Sequence, residues 1–149
     1  MKIAIGSDHA GLELKNYIKG ILVKQNYDVT DFGTNSPESV DYPDFGFPAA
    51  KAVAARQADR GILICGTGIG MNVVANKVKG IRAALVTDIY TAIQSRKHLD
   101  ANVLVLGERV IGKGIAEAIV EAWLSTEFEG GRHEGRIRKI EEFEINQDG

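Results

Sequence analysis

Two short segments of this chain consist almost wholly of apolar residues, Gly61–Cys65 (GILIC) and Val103–Leu106 (VLVL). Continuous apolar runs of this length are typical of strands that are buried on both faces of a parallel sheet. Parallel neighbours cannot be joined by a tight hairpin, because the chain must first return to the edge where both strands begin. Helical periodicity in the intervening segments supplies such connections. The chain is therefore predicted to be an α/β protein with helices on both faces of a sheet.

The same alternation extends along the whole sequence. The predicted strands are Lys2–Gly6, Tyr27–Phe32, Gly61–Cys65, Ala83–Val86 and Val103–Leu106. The predicted helices cover about 12–25, 44–56, 90–97, 111–124 and 134–144, and a further helix opens from the glycine-rich turn 66–70 and runs to about Lys77. We predict a three-layer sandwich around a five-stranded, parallel, doubly wound (Rossmann-like) sheet, with a C-terminal helical extension. Strand orders 2-1-3-4-5 and 3-2-1-4-5 are both common. We favour 2-1-3-4-5, because the two most unusual turns follow strands 1 and 3 and would then flank the ligand-binding point of such a sheet.

Composition limits the class of protein. The 149 residues (16.1 kDa) are 44% hydrophobic and 26% charged, as expected of a single folded domain over residues 1–149. A net charge of −2 gives no general attraction to nucleic acid or to an anionic membrane. One cysteine cannot form an internal disulfide, three separated histidines do not resemble a metal cluster, and no apolar window approaches a membrane span. We therefore expect a cytoplasmic protein that binds neither nucleic acid nor membranes.

Strand 1 is followed by the turn Ser7-Asp8-His9-Ala10-Gly11. A carboxylate beside an imidazole can serve as an acid–base pair, or as ligands for sugar hydroxyls and a phosphate. Capping of the next helix by Ser7 or Asp8 is the simpler interpretation. The two interpretations are compatible, because a ligand would bind at the same end of that helix.

Strand 3 ends at Cys65, and the next five residues contain Gly66, Gly68 and Gly70. Glycines let successive backbone N–H groups converge on an anion, and the positive end of the following helix adds to this effect. The spacing is not the G-x-G-x-x-G dinucleotide pattern, since Met71 stands where a glycine is required. A helix N-terminus also stabilises a thiolate, and a thiolate beside such donors suits removal of a proton next to a carbonyl. The alternative is an inert thiol, as for most cysteines that end core strands.

Further candidates lie toward the carboxyl end of the sequence. His98, near the end of the fourth helix, is either a surface histidine favoured by the helix dipole or an acid–base group reaching across the strand ends. Arg132 and Arg136 belong to a basic segment and lie four residues apart, so they share one helical face and can bind one phosphate. A solvated charged face is the alternative. Arg109, after strand 5, is placed to join such a phosphate site.

Several spaced motifs occur in order and cover essentially the whole chain: IGSDHAG from Ile5, SVDYPD from Ser39, GILICGTGIGM from Gly61, ANVLVLGERVIG from Ala101 and FEGGRH from Phe128. In these motifs the sequence resembles the type B ribose-5-phosphate isomerases, within the wider ribose/galactose isomerase family. The resemblance implies an aldose–ketose isomerase that interconverts ribose 5-phosphate and ribulose 5-phosphate through a cis-enediolate. It also implies no metal or cofactor, and a homodimer or dimer of dimers whose subunits share each active site. The tail 126–149 would then contact a partner subunit.

The same resemblance implies the residue roles. Cys65 is expected to be the base that moves a proton between C2 and C1, while Thr67 and His98 assist opening of the furanose ring. The amides of Gly66 through Gly70 are expected to hold the enediolate. The expected substrate ligands are Asp8, Tyr42 and Asn102 for the sugar, and His9, Arg109, Arg132 and Arg136 for the phosphate.

One position departs from this pattern. These isomerases commonly carry asparagine directly after the ring-opening histidine, whereas this chain has Leu99. The galactose-6-phosphate branch can have an apolar residue there, so an isomerase of six-carbon sugar phosphates (allose 6-phosphate or galactose 6-phosphate) is the first alternative. A non-catalytic binding module of flavodoxin-like architecture is the second.

Overall fold

Five strands and six α-helices alternate along residues 1–147, which are the residues that the computed structural model describes. The strands are β1 (Lys2–Ser7), β2 (Asp28–Asp31), β3 (Arg60–Cys65), β4 (Ala83–Leu85) and β5 (Val103–Gly107). The helices are α1 (Leu12–Lys24), α2 (Pro43–Ala54), α3 (Ile69–Asn76), α4 (Ile89–Leu99), α5 (Lys113–Ser125) and α6 (Arg132–Asn146). A short 3-10 turn (His9–Gly11) precedes α1. Each predicted element is present with ends within two residues of the observed ones. The predicted tail contains α6, and its residues 148–149 lie outside the described part.

All neighbouring strands run parallel, in the order β2-β1-β3-β5-β4. The predicted order 2-1-3-4-5 is correct for the first three strands and wrong for the last two. The physical reason is burial. Every residue of β5 is buried, as an interior strand requires, whereas β4 has three residues of which two are only half-buried. Short strands of this kind suit the edge of a sheet. β5 therefore lies directly beside β3.

Two apolar layers cover the faces of the sheet, which confirms the three-layer sandwich. On one face, Ile18 of α1 and Trp123 of α5 pack with Ile62 and Leu104 of the central strands. On the other face, residues of α2 and α3 pack with Leu63, Val103 and Val105. Successive residues of β3 and β5 thus enter opposite layers, as the alternation of side chains along a strand requires. No helix within residues 1–147 is long and apolar enough to cross a membrane.

A buried ion pair fixes the loop that follows β2. Lys15 of α1 is fully buried, and its Nζ donates to both oxygens of Asp31 (2.8 and 2.9 Å), to the carbonyl of Thr34 (2.7 Å) and to Oδ1 of Asn35 (2.9 Å). Burial alone would raise the pKa of Asp31, but hydrogen bonds from Lys15, the N–H of Gly33 and Lys19 lower the pKa below its ordinary value. Because the N–H of Thr34 donates to the carbonyl of Ser7 (2.6 Å), this ion pair also supports the end of β1.

Candidate active site

A cleft of about 570 Å³ opens at the carboxyl ends of β1, β3 and β5. Doubly wound sheets bind their ligands at this edge. The lining residues come from the turns after these strands, the loop before α2 and the start of α3: Asp8, His9, Ala10, Tyr42, Cys65, Gly66, Thr67, Ile69, Gly70, Val73 and Arg109. Eight of the thirteen predicted site residues therefore line one cleft.

The turn after β3 places a backbone hydrogen-bond donor against the sulfur of Cys65. Cys65 is 5% exposed and lines the cleft, and its Sγ accepts a hydrogen bond from the N–H of Gly68 (3.2 Å). Gly68 has φ of +83°, and a side chain there would collide with Leu85. The first N–H groups of α3 have no carbonyl partner within the helix. This geometry stabilises negative charge on the sulfur or on an oxyanion beside it.

The turn after β1 presents Asp8 and His9 to the same cleft. Asp8 is buried, and its Oδ1 accepts a hydrogen bond from the N–H of Gly11 (3.1 Å), so Asp8 caps the 3-10 turn that leads into α1. The N-cap of α1 itself is Gly11, which makes no side-chain bond. Nδ1 of His9 accepts a hydrogen bond from the N–H of Val40 (3.1 Å). In the neutral ring the proton then lies on Nε2, which leaves this N–H to donate to a ligand.

Tyr42 reaches the cleft from the loop before α2 and lies against the start of α3. A Cβ at Gly70 would come within 2.7 Å of the Tyr42 ring. Glycine at position 70 thus allows the aromatic ring to approach the helix end closely. Tyr42 as a whole remains 40% exposed, so its side chain is available to a bound molecule.

Arg109 stands beside the Cys65 turn because β5, and not β4, is the neighbour of β3. The backbone pairing continues beyond both strands: Glu108 N–H donates to the carbonyl of Cys65, and Arg109 N–H donates to that of Gly66 (both 3.0 Å). The Arg109 side chain is exposed and lines the cleft. A strand between β3 and β5, as the predicted order requires, would have separated this cation from the sulfur.

His98, Arg132 and Arg136 do not line this cleft. α4 runs from the carboxyl end of β4 back toward the beginning of β5, so His98 in its last turn lies toward the amino edge of the sheet. The five residues of β5 extend about 16 Å, so within one chain His98 does not reach across the strand ends. Arg132 and Arg136 lie on α6 and line a separate basic cavity of about 370 Å³. His98 contacts α6 as well, where its ring stacks on that of His133.

Asn102 also lies at the amino edge, directly before β5. Its side-chain oxygen accepts a hydrogen bond from the N–H of Arg82 (2.8 Å), and its amide donates to the carbonyl of Gly80 (2.9 Å). It lines a cavity of about 310 Å³ together with Arg60 and Arg96, among others. These contacts connect the chain before β4 to the start of β5, so Asn102 has a structural role. Contact of Asn102 with a sugar stays a prediction.

Sequence reasoning missed part of the site. Ala10, Ile69 and Val73 line the cleft, and their apolar side chains carried no chemical signal in the sequence. His133 was present in the FEGGRH motif but received no role. A histidine between two candidate phosphate ligands was the signal that could have drawn attention to it.

One group of possible metal ligands occurs among the described residues. One ligand atom from each of His98, Glu129 and His133 lies within 4.8 Å of the others. Folding thus brings together two of the three histidines that are separated in the sequence. The two imidazole planes are nearly parallel, so their in-plane lone pairs do not converge on one ion as tetrahedral coordination requires.

Comparison with known proteins agrees with this geometry. A family model described as Ribose/Galactose Isomerase matches residues 3–140. The chain is 49% identical over 139 residues to ribose-5-phosphate isomerase B of Escherichia coli, covering 93% of each chain. It is 46% identical to the D-erythrulose-4-phosphate isomerase of Pectobacterium atrosepticum, covering 97% of this chain and 95% of that protein. The solved structure of Clostridium thermocellum ribose-5-phosphate isomerase B superposes with a TM-score of 0.97 at 56% identity, covering 99% of both chains.

Proposed function

The chain belongs to the ribose/galactose isomerase family, and on that basis we propose that it interconverts ribose 5-phosphate and ribulose 5-phosphate with Cys65 as the base. Because the members of this family are isomerases, the alternative prediction of a non-catalytic flavodoxin-like binding module has no support. The observation that carries the finer proposal is that one cleft contains the Cys65 sulfur with its Gly68 N–H donor, the polar side chains of Asp8 and Tyr42, and the cationic or basic side chains of His9 and Arg109.

Cys65 moves one proton in the central step. Its thiolate removes the proton from C2 of the open-chain aldose, the C2–H electron pair forms the C1–C2 double bond, and the carbonyl electrons pass to O1. A proton then moves from O2 to O1 in the cis-enediolate. The carbonyl forms at C2 while C1 takes the proton back from the sulfur, which regenerates the thiolate. The N–H groups of the turn Gly66–Gly70 stabilise the enediolate oxygens.

The substrate enters as a furanose, so the ring opens before this step. Opening requires a proton to leave the anomeric hydroxyl and another to reach the ring oxygen. We assign these transfers to Thr67, whose Oγ1 lies at the start of α3 and accepts a hydrogen bond from the N–H of Ile69 (3.2 Å), and to His98. Asp8 and Tyr42 contact the sugar hydroxyls. The phosphate is bound by His9 and Arg109 from the cleft and by Arg132 and Arg136 from α6.

These groups act together only if two subunits share each site. Within one chain, Cys65 and Arg109 lie at the carboxyl edge of the sheet, whereas His98 and the α6 arginines line other surfaces. The rim of the cleft also exposes apolar side chains, with Ile69 61% and Val73 55% exposed. Exposed apolar side chains around a polar site are suited to contact with another protein surface. We therefore propose that α6 and His98 of one subunit complete the cleft of its partner.

Mixing two inactive variants tests the shared site. Cys65→Ala and Arg136→Ala disable different halves, so a hybrid dimer has one intact site. Coexpression in equal amounts should restore about a quarter of wild-type activity, because half of randomly formed dimers are hybrids with one working site of two. A turnover assay on the unfractionated mixture measures this recovery. Hybrids isolated through two different tags should have about half of the wild-type activity, since one of their two sites is intact.

The matched control is a mixture of Cys65→Ala with Thr67→Ala. Both substitutions affect the same cleft, so no hybrid contains an intact site and no activity should return. Hybrid dimers of the first mixture that remain inactive would show that each site is built from a single chain.

Leu99 tests the identity of the sugar. It ends α4 next to His98, is half-buried, and has no side-chain group that can bind a hydroxyl. We expect the highest kcat/KM for ribose 5-phosphate in a panel of four-, five- and six-carbon aldose phosphates. Leu99→Asn should raise the preference for ribose 5-phosphate by up to about tenfold, the contribution of one hydrogen bond. A panel in which a six-carbon phosphate gives the highest kcat/KM would refute the five-carbon assignment.

A second candidate is the isomerisation of a four-carbon sugar phosphate. The observation that favours it is the 46% identity to a protein named D-erythrulose-4-phosphate isomerase, together with the loss of a polar side chain at Leu99. A shorter sugar has one hydroxyl fewer to bind. The same panel separates this candidate from the five-carbon and six-carbon activities.

A further inference from the structure

A stacked pair of histidines joins α4 to α6. The rings of His98 and His133 have centroids 4.2 Å apart and planes inclined by 13°. His98 is exposed on one side of the stack, whereas His133 is buried, with 4% of its surface accessible. The pair is therefore asymmetric: one imidazole faces outward and the other supports it from within.

The backbone on both sides of the stack is anchored. The segment before α6 is held to the end of α4 by Glu129 N–H, which donates to the carbonyl of Lys97 (3.1 Å). Nε of the buried Arg96 donates to the carbonyl of Thr126 (3.2 Å). The two histidines follow these anchors by a few residues. Their relative position is thus set by main-chain contacts, and the His133 ring provides a fixed surface for His98.

The surroundings of His133 do not give it a hydrogen-bonding role of its own. Its Nε2 is buried and has no hydrogen-bond partner among the described residues, and Oε1 of Glu129 lies 3.8 Å away. Burial lowers the pKa of His133, the charges of His98, Arg132 and Arg136 lower it further, and Glu129 opposes them. His133 therefore remains neutral at neutral pH.

We infer that His133 is a positioning residue for ring opening: its buried ring, stacked on that of His98, fixes the plane of the His98 imidazole. This inference rests on the proposed function, in which His98 takes part in opening the furanose. His133 itself touches no substrate in this assignment. Its neighbours Arg132 and Arg136 bind the phosphate, so the same helix turn orients the phosphate and the acid–base group.

Two substitutions at position 133 separate stacking from other effects. His133→Ala removes the ring, which frees the His98 side chain, and should lower kcat/KM for ribose 5-phosphate by about 10²-fold, as small misplacements of reacting groups do. His133→Phe retains a flat ring of similar size without a titratable nitrogen, and should restore most of the activity. A requirement for the imidazole nitrogens or for a bound metal predicts the opposite result, namely that phenylalanine is as inactive as alanine.

Proton NMR tests the inference without measuring activity. The chain has three histidines, so the ring signals of His9, His98 and His133 can be assigned from single substitutions. In the wild-type protein the His98 ring protons should be shifted upfield by the stacked ring, and His133 should titrate below its ordinary range. The upfield shift should persist in His133→Phe. Its absence from the wild-type protein would overturn the inference even if His133→Ala does not fold.

The outcome for His98 distinguishes this inference from the proposed function. If His98→Asn retains wild-type turnover, the assignment of ring opening to His98 fails, whatever position 133 does. If His98→Asn is inactive while His133→Ala has normal kcat/KM and an unchanged pH profile, only the positioning role of His133 fails.

Discussion

Replacing Cys65 by alanine is expected to lower kcat by about 10²- to 10⁴-fold, the range typical of removing a general base. In the proposed mechanism other residues bind the sugar and the phosphate, so KM should change little. Gly68 N–H donates to the sulfur at 3.2 Å, and this donor stabilises the charged form that accepts the proton. Steady-state kinetics, with sugar-phosphate binding measured by calorimetry, separates loss of proton transfer from loss of binding.

Val23→Ala is the control for this experiment. Val23 is exposed on α1, away from the residues that line the cleft, so its replacement should leave kcat close to the wild-type value. Exchange of the C2 proton with deuterated solvent provides a direct readout, and it should stop in Cys65→Ala. A Cys65→Ala enzyme with normal kcat would remove the sulfur from the mechanism.

Removing the ammonium group of Lys15 is expected to destabilise the fold by about 3–5 kcal/mol, the usual cost of breaking a buried ion pair from one side. Lys15→Met keeps a flexible chain of similar length but leaves the Asp31 carboxylate without its buried partner. Thr34 and Asn35 lose a donor in the same step. Urea unfolding at fixed protein concentration measures the difference in the free energy of unfolding.

Lys19→Met is the control, because Lys19 contacts the same carboxylate from a more exposed position. Its Nζ lies 3.1 Å from Asp31 Oδ2 and its side chain is 39% exposed, so its loss should cost about 1 kcal/mol or less. Equal losses for the two lysines would contradict the buried-pair account.

The ion pair also sets the response to acid. The pKa of Asp31 is lower in the folded protein than in the unfolded chain, so the pair stabilises the fold above the unfolded pKa. This stabilisation disappears as the pH falls through the folded pKa. The difference between wild type and Lys15→Met should therefore shrink in strong acid.

Most of the fold follows from local patterns in the sequence. The apolar run at 61–65 and the helical periodicity around it identify the elements, because burial on both faces of a parallel sheet leaves an unmistakable composition. The order of β4 and β5 could not be predicted from local patterns. It depends on which of the two strands is buried along its whole length and can therefore have a neighbour on each side. The predicted segments 83–86 and 103–106 are equally long, so only the structure shows that β4 has three residues and that β5 is buried throughout.

The residues that line the cleft were predicted more accurately than the residues of the proposed site that lie elsewhere on the chain. Asp8, His9, Cys65 and Thr67 lie directly after β1 and β3, so their convergence follows from topology. The same reasoning, carried one step further, would have placed His98 at the opposite edge, because a helix that joins two parallel strands runs back toward the amino ends of the strands.

Lys15 illustrates a different limit of sequence reasoning. It lies on the buried side of α1 beside Leu14 and Ile18, yet a lysine on an amphipathic helix is ordinarily assigned to the solvent. Only the loop at 31–35, which folds over it from β2, supplies the acceptors that allow its burial.

Because Cys65 and the α6 arginines lie on different surfaces of each chain, the proposed activity is a collective property. A folded monomer would carry two half-sites, neither of them complete, and would have no isomerase activity. Specific activity should then fall upon extreme dilution, because the subunits dissociate by mass action. A molecule that binds at the subunit interface and prevents association would inhibit the protein without resembling a sugar.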